Sequence, residues 1–273
     1  MEAAMAIESE WVRYGDQLGY LALPEHAATP LPGVVVIHDL LGLNDHVEDV
    51  TRRIAAAGYA ALAPDLFASG DGRPAPLMQE RIQEAMTFLS RLSGAARSDR
   101  AAREAELAKL HEPERLRIGE TIGQLFAFAT PSRWEGLVGA LRKAVRYLRW
   151  ERPETLAQKV ACMGEELSIL LACGEPELSG AAVFYASAPP AAKLVEIRCP
   201  LIAFYGANDT HASACIPGFA ETMREAGKSF EYHIYEGAGR GFFCDTKPNY
   251  YDVRASRDAF ARLLTFFLKT LTE

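Results

Sequence analysis

Long hydrophobic runs are missing from this sequence, since no apolar stretch approaches the roughly 20 residues that a membrane-spanning helix needs. Runs of lysine and arginine are missing too, and the formal net charge is -7. The composition therefore gives no basic surface for nucleic acid or for an anionic membrane. The N-terminus, Met1 to Trp11, is acidic and lacks the hydrophobic region of a signal peptide. We expect a cytoplasmic protein that binds neither nucleic acid nor membrane.

Cysteine is scarce, with 5 in 273 residues. The odd number and the irregular spacing fit neither a set of disulfides nor a zinc site, so we expect reduced thiols that mostly fill the core, with no metal and no cofactor. What the chain has instead is an ordinary globular composition, 49% hydrophobic and 24% charged. Length and composition predict a single domain over residues 1–273 with a substantial core.

Apolar runs typical of buried strands alternate with segments of helical periodicity. The run Val34-Val35-Val36-Ile37 is typical of a parallel strand buried on both faces. A helix over residues 46–57, which Asp45 or Asn44 can cap, and a strand over 59–65 complete a β-α-β unit with a right-handed crossover. Later strands are predicted at residues 180–185, 200–205 and 230–235, and later helices at 134–149, 212–226 and 255–271. This order predicts an α/β fold with a doubly wound, mostly parallel sheet.

A helical segment interrupts this alternation. Residues 78–130 are rich in Ala, Arg and Glu, contain few strand formers and are divided by Pro113. Their spacing predicts three helices, at residues 78–92, 97–110 and 116–129, as an insertion that lies over the strand ends. The insertion is a candidate for a substrate lid or for a dimer surface, and the sequence leaves both open.

Residues 158–172 read as a short buried strand, a turn at Gly164 and an apolar helix. This is the frame of a nucleophile elbow, in which a Ser or Cys occupies a tight turn between strand and helix. Two alignments are open. In the one that we favour, Gly164 is the first glycine of the elbow and Glu166 stands at the nucleophile point, because residues 160–163 then form an apolar strand. In the other, Cys162 is the nucleophile.

Four stretches outside the helical segment carry a further signal: VVVIHDLLGLN at residues 34–44, GYAALAPDLF at 58–67, FYGAND at 204–209 and YEGAGRGF at 235–242. In this order and spacing they closely resemble the dienelactone hydrolases within the α/β-hydrolase superfamily. The resemblance covers most of the chain apart from the helical insertion. It implies the α/β-hydrolase fold and an activity on a small lactone, ester or related carboxylate.

The resemblance also implies a Cys-His-Asp triad, of which the sequence keeps only part. Asp209 stands at the position of the acid, whereas Arg240 stands at the position of the histidine. Arginine does not accept a proton at neutral pH, so Arg240 cannot be the base that activates a nucleophile. With Glu166 at the elbow, these replacements predict that Glu166, Arg240 and Asp209 converge within salt-bridge distance. A carboxylate held by Arg240 should then have a depressed pKa.

Other candidate site residues follow the ends of predicted strands. Asp39 stands where relatives carry an acid beside the site. Together with His38, Leu40 and Leu167, it is a candidate for binding substrate or for stabilising an oxyanion. The alternative for His38 is a hydrogen bond to nearby backbone. His211 is a further candidate base.

Two classes of function stay open. We favour a dienelactone-hydrolase-like protein whose repurposed or degenerate site binds or transforms a small carboxylate or lactone, as a homodimer or paired with an active relative. The alternative is an active hydrolase of a small lactone or ester with Cys162 as its nucleophile. Only the second should show an acyl-enzyme burst.

Overall fold

The computed structural model describes residues 6–26, 30–70, 72–151 and 156–272. Within these ranges the strands are β1 Ile7–Tyr14, β2 Gln17–Pro24, β3 Leu31–Val36, β4 Ala60–Pro64, β5 Leu156–Gly164, β6 Gly180–Phe184, β7 Leu201–Gly206 and β8 Phe230–Tyr235. They form one sheet in the order β1-β2-β4-β3-β5-β6-β7-β8. Strand β2 pairs antiparallel with β1 and with β4, and the other neighbours are parallel. The predicted doubly wound, mostly parallel sheet is confirmed.

Helices connect the strands and cover the sheet. They are α1 Asp45–Ala56, α2 Gln79–Ser90, α3 Gly94–Ser98, α4 Arg100–Leu107, α5 Glu114–Phe128, α6 Pro131–Arg146, α7 Glu166–Gly174, α8 Ala191–Leu194, α9 Thr210–Glu225 and α10 Val253–Thr272. The start of α1 follows its sequence signal, because the side chain of Asn44 accepts a hydrogen bond from the Val47 N–H and so caps the helix. Across the described ranges, no helix combines the length and the apolar character needed to cross a membrane.

Two apolar layers lie on opposite faces of the sheet, because successive side chains of a strand point to opposite sides. Val35 and Cys162 belong to the layer that α6, α7 and α9 cover. Val34 and Met163 belong to the other layer, which α1 and α10 cover. The β-branched run of β3 is therefore buried on both faces, as its composition predicts.

The segment 78–130 folds into α2, α3, α4 and α5. Helices α2 and α5 pack together through a small apolar cluster that includes Phe88 and Ile122. The helix predicted at residues 97–110 is divided into α3 and α4, and Asp99 caps α4 by accepting a hydrogen bond from the Ala102 N–H. The role of this segment as a lid or a dimer surface stays a prediction.

The parallel strands position the candidate site. Because β3, β5, β6, β7 and β8 run in the same direction, their carboxyl ends meet at one edge of the sheet. The loops that follow these strands carry Asp39, Glu165, Tyr185, Asp209 and Arg240, respectively. Residues far apart in sequence are thereby brought to one place.

Candidate functional site

The turn after β5 carries two consecutive glutamates. Gly164 ends the strand, Glu165 forms the bend, and α7 begins at Glu166. Position 164 requires glycine because a Cβ there would lie 2.8 Å from the Ile37 Cβ and 3.0 Å from the Ile37 carbonyl oxygen. The predicted turn is thus present, but Glu165 rather than Glu166 stands between strand and helix. The favoured alignment placed the nucleophile point two residues after Gly164, at Glu166. In the structure Glu166 is already the first residue of α7.

Cys162 lies inside β5 and is fully buried. The Ser168 hydroxyl donates a hydrogen bond to its sulfur at 3.4 Å, and the thiol lies 3.7 Å from the Ser168 carbonyl oxygen. Burial raises the pKa of the Cys162 thiol, which disfavours the thiolate that nucleophilic attack needs. The alternative alignment, with Cys162 at the turn, is not the one that the structure adopts.

Arg240, from the loop after β8, ties the turn to two other loops. Its Nη2 donates to Glu165 Oε2 at 2.7 Å and lies 3.9 Å from Glu166 Oε1. Its Nη1 donates to the carbonyl oxygen of Tyr185 at 3.0 Å and lies 3.6 Å from Asp209 Oδ2. The structure therefore brings Glu166, Arg240 and Asp209 together, and it adds Glu165 as the nearest partner of the guanidinium.

Asp209 joins this cluster from the start of α9. Its Oδ1 accepts the Ala212 N–H at 3.3 Å and caps the helix. Its Oδ2 is buried and has no hydrogen-bond partner among the described residues, so the guanidinium of Arg240 is the nearby charge that compensates it. The side chain of His211, the other candidate base, lies outside what the structure describes. Asp209 thus faces an arginine where the family pattern has an imidazole.

The charges around Glu165 are unbalanced. Glu165, Glu166 and Asp209 lie around the guanidinium of Arg240, and Asp39 adds a further negative charge near Glu165. Burial, together with the charges of Asp39 and Glu166, outweighs Arg240 and raises the pKa of Glu165 to about 8. The expected depression of the pKa of a carboxylate held by Arg240 is therefore wrong for Glu165, because burial and the neighbouring carboxyl groups outweigh the one cation.

His38, at the end of β3, is held by the backbone through both ring nitrogens. Nδ1 lies 2.8 Å from the Asp39 carbonyl oxygen, and Nε2 lies 3.0 Å from the Leu66 nitrogen. These partners assign the neutral tautomer with hydrogen on Nδ1, since Nε2 must accept the Leu66 N–H. Burial also lowers the pKa of His38. His38 is thus a neutral residue that fixes two loops, and it has no ring nitrogen left for a ligand.

A cavity of about 600 Å³ opens beside the turn. Glu165, Arg240 and Asp39 line it at the sheet edge, where Asp39 Oδ1 also accepts the Leu41 N–H at 2.7 Å. Phe184 and Phe243 belong to its apolar wall. Helix α2 forms another side through Gln83, Met86, Thr87 and Ser90. The cavity is large enough for a small organic molecule and has an acidic floor.

Some of the predicted site residues do not line this cavity. Glu166 is in the first turn of α7 and accepts the Ser187 N–H at 3.2 Å. The side chain of Leu167 is buried in the apolar layer that contains Cys162. Leu40 packs beside Phe67 in a separate apolar cluster. A role for the backbone N–H groups of Leu40 and Leu167 in binding an oxyanion stays a prediction.

Sequence reasoning missed Tyr185. Its φ of 57° lies in the left-handed region, which non-glycine residues rarely adopt. In this conformation Tyr185 accepts two hydrogen bonds. Its carbonyl oxygen accepts from Arg240, and its hydroxyl oxygen accepts the Phe243 N–H at 2.7 Å. No local sequence signal marks such a tyrosine, whereas the strand-turn-helix frame around Gly164 did draw attention to the turn.

Comparisons with known proteins agree with this architecture. The sequence model of the dienelactone hydrolase family matches residues 18–271. A protein from Saccharolobus solfataricus, named as a carboxymethylenebutenolidase, is 29% identical over 248 residues, which cover 90% of this chain and 91% of that protein. A protein of the same name from Escherichia coli is 25% identical over 266 residues, covering 93% and 83%.

Solved structures show the same fold. A crystal structure from Klebsiella pneumoniae, named as a dienelactone hydrolase, superposes with a TM-score of 0.69 at 20% identity, covering 96% of this chain and 98% of that one. A dienelactone hydrolase-like promiscuous phosphotriesterase from metagenomic libraries gives a TM-score of 0.64 at 20% identity, covering 97% and 99%. The family match runs from β2 to α10 and includes every loop of the candidate site. The chain belongs to the dienelactone hydrolase family.

Proposed function

We propose that this chain binds a small neutral lactone or ester beside Glu165 and Arg240, and that turnover there proceeds by proton transfer without an acyl-enzyme. One observation carries the proposal. The turn that should present a nucleophile presents Glu165 bonded to Arg240, while Cys162 is sealed in the opposite layer of the sheet.

Covalent ester hydrolysis needs a nucleophile paired with a base. Burial alone would lower the pKa of Arg240, but Glu165, Glu166 and Asp209 raise it, so the guanidinium stays charged. His38 has both ring nitrogens bonded to backbone. Among the described side chains at this turn, no nucleophile is therefore paired with a proton acceptor.

Glu165 is suited to act as an acid. With a pKa of about 8, its carboxyl group is mostly protonated at neutral pH. Because Oε2 accepts from Arg240, the proton belongs on Oε1. A neutral carboxyl group at the edge of a cavity can donate a hydrogen bond to a carbonyl oxygen and stabilise the charge that develops there.

The charge of the floor favours a neutral ligand. Three carboxyl groups surround the guanidinium of Arg240, which already donates to Glu165 and to the Tyr185 carbonyl, and Asp39 adds a fourth carboxyl group to the cavity lining. A ligand carboxylate would be repelled by the acids and would have to displace an existing partner of Arg240. Of the expected ligands, a small carboxylate or a lactone, the site therefore suits the lactone.

The first test is covalent chemistry. We expect p-nitrophenyl acetate to give no burst of p-nitrophenol, and we expect iodoacetamide at neutral pH to leave Cys162 unmodified in the folded protein. Cys244 is the matched control, because it lines the same cavity and is partly exposed, so it should be alkylated. A burst of about one equivalent per chain that is kept in Cys244→Ser and lost in Cys162→Ser, or alkylation of Cys162 with loss of esterase activity, would establish the Cys162 hydrolase instead.

The second test is ligand charge. Dihydrocoumarin is a neutral lactone, and its ring-opened product is a carboxylate of the same carbon skeleton. We expect NMR titration of the protein to show tighter binding of a non-reacting neutral analogue of the lactone than of the ring-opened carboxylate. Tighter binding of the carboxylate would show that Arg240 recognises anions and would contradict the neutral ligand.

A further inference from the structure

A second group of charged side chains meets the cavity away from the turn. His46, in the first turn of α1, lines the cavity, and its Nδ1 lies 3.2 Å from Asp245 Oδ1. Asp245 comes from the loop after β8, and Arg53 of α1 donates to its other oxygen. Arg53 is itself fixed by Asp49, whose Oδ2 accepts from Nε at 2.6 Å. The carboxylate that holds His46 is therefore held from the other side by an arginine.

This pairing fixes which nitrogen of His46 is basic. An ionised carboxylate only accepts hydrogen bonds, so the hydrogen of the neutral ring is on Nδ1 and the lone pair is on Nε2. Nε2 has no hydrogen-bond partner in the described part of the chain and is not among its buried unpartnered atoms. The basic nitrogen is thus free to accept a proton, on a side chain that lines the cavity. His38 gives the contrast, because backbone groups occupy both of its ring nitrogens.

The surroundings keep the ring neutral and its partner charged. Burial lowers the pKa of His46, and Arg53 lowers it further, against the opposite effects of Asp245 and Asp39. Burial alone would raise the pKa of Asp245, but Arg53 and His46 hold it below its usual range. The ring of Phe243 packs edge-on against the imidazole, with centroids 6.4 Å apart. A neutral imidazole oriented by an ionised carboxylate is the arrangement of a general base.

We propose that His46, held by Asp245, is the proton acceptor of this cavity and activates a water molecule for direct attack on the carbonyl carbon of a lactone or ester. The neutral ester as ligand rests on the function proposed above. The water oxygen bonds to the carbonyl carbon while one of its protons moves to Nε2. The carbon–oxygen bond to the leaving group then breaks, its electron pair stays on the departing oxygen, and that oxygen takes the proton back from Nε2. Ester and water give acid and alcohol without another reactant.

This assignment explains how a chain of this family could turn over a lactone with arginine at position 240. The base is supplied from α1 instead of from the loop after β8, and Asp245 acts as its positioning residue. Glu165 and His46 line the same cavity, so one ligand can meet an acid and a base.

The kinetic test uses dihydrocoumarin with the wild type, His46→Gln, Asp245→Asn and His233→Gln. His233 is the matched control, because it pairs with Glu231 at 2.7 Å on the edge strand β8 and does not line the cavity. We expect His46→Gln to lower kcat/KM by about 100-fold or more and His233→Gln to leave it unchanged. Asp245→Asn should lower kcat with little change in KM and move the midpoint of the pH profile downward, because it removes a charge that favours the imidazolium.

A wild type that hydrolyses dihydrocoumarin no faster than His46→Gln overturns the proposal, whether both are active or both are at the uncatalysed rate. Nitrogen-15 NMR of the imidazoles gives a readout that does not depend on turnover. We expect the His46 signal to show hydrogen on Nδ1, a pKa below the ordinary value of about 6.5, and a change of pKa in Asp245→Asn. Hydrogen on Nε2 would overturn the proposal. An acyl-enzyme burst would contradict the function proposed above. The comparison of the wild type with His46→Gln would still test the role of His46 separately.

Discussion

Two arginines lie among carboxyl groups near this cavity, and their effects differ: Arg240 lines the cavity, whereas Arg53 lies behind Asp245, the partner of the lining residue His46. The guanidinium of Arg240 lies near Glu165, Glu166 and Asp209, and Asp39 acts on Glu165. Among the described residues, Arg53 forms ion pairs with Asp49 and Asp245. At the first site burial, together with the charges of Asp39 and Glu166, raises the pKa of Glu165. At the second the charges are nearer balance, so Asp245 stays ionised.

The difference shows that burial and the balance of acids and cations, rather than the residue types, decide what each side can do. Around Arg240 a carboxyl group becomes a proton donor, because burial and like charges disfavour its ionised form. Around Arg53 the ionised Asp245 is left to orient His46, whose second nitrogen can accept a proton. The same kinds of side chain thus give an acid on one side and a base on the other.

The largest effect should come from removing the shared cation. In Arg240→Met the three carboxyl groups of Glu165, Glu166 and Asp209 lose their counter-charge, and we expect the free energy of unfolding at pH 7 to fall by about 2 kcal/mol, less than for a fully buried pair because Arg240 is partly exposed. Urea denaturation measures this. The control is Arg262→Met, which removes an exposed pair with Asp258 and should cost less than about 1 kcal/mol. Equal losses in the two variants would show that the acid cluster does not depend on Arg240.

A smaller effect should appear as a pH dependence in Glu165→Gln. The folded pKa of Glu165 is about 8, above the ordinary value of about 4.3. Its contribution to stability is therefore fully present below pH about 4 and is lost as the pH rises towards the folded value. Glutamine does not titrate. We expect the variant to gain stability relative to the wild type between pH 6 and 9, by on the order of 1 kcal/mol.

Melting temperatures of both proteins across that range test this expectation. The control is Glu104→Gln, on the exposed side of α4, for which the difference from the wild type should stay constant. A constant difference for Glu165→Gln as well would show that Glu165 is ionised throughout and would remove the proposed acid.

The smallest effect on stability should come from the other arginine. In Arg53→Met, Asp245 loses its ion pair with Arg53. We expect the free energy of unfolding to fall by about 0.5 kcal/mol, because these groups are partly exposed. The informative change is the pKa of His46, which should rise once the cation that lowers it is gone. NMR titration measures it. An unchanged His46 pKa would mean that Arg53 and Asp245 do not govern the imidazole, and the comparison between the two arginines would fail.

The sequence by itself determined the order and type of the elements. The β-branched run of β3, the amphipathic spacing of α1 and the cap at Asn44 are local signals, and each element formed where its signal predicted. The sequence also determined that Asp209 and Arg240 would meet, because both follow parallel strands whose carboxyl ends share one edge. Such predictions succeed because they depend on neighbours in the chain and on the direction of the strands.

Only the tertiary structure decided which glutamate forms the bend, because this depends on where α7 begins and on the contact between Gly164 and Ile37. It also decided that the pKa of Glu165 is raised, since this pKa depends on burial and on charges from other loops. His46 and Asp245 meet across 199 residues. No local pattern encodes that contact, because it forms only when the helix after β3 and the loop after β8 are both packed against the same cavity.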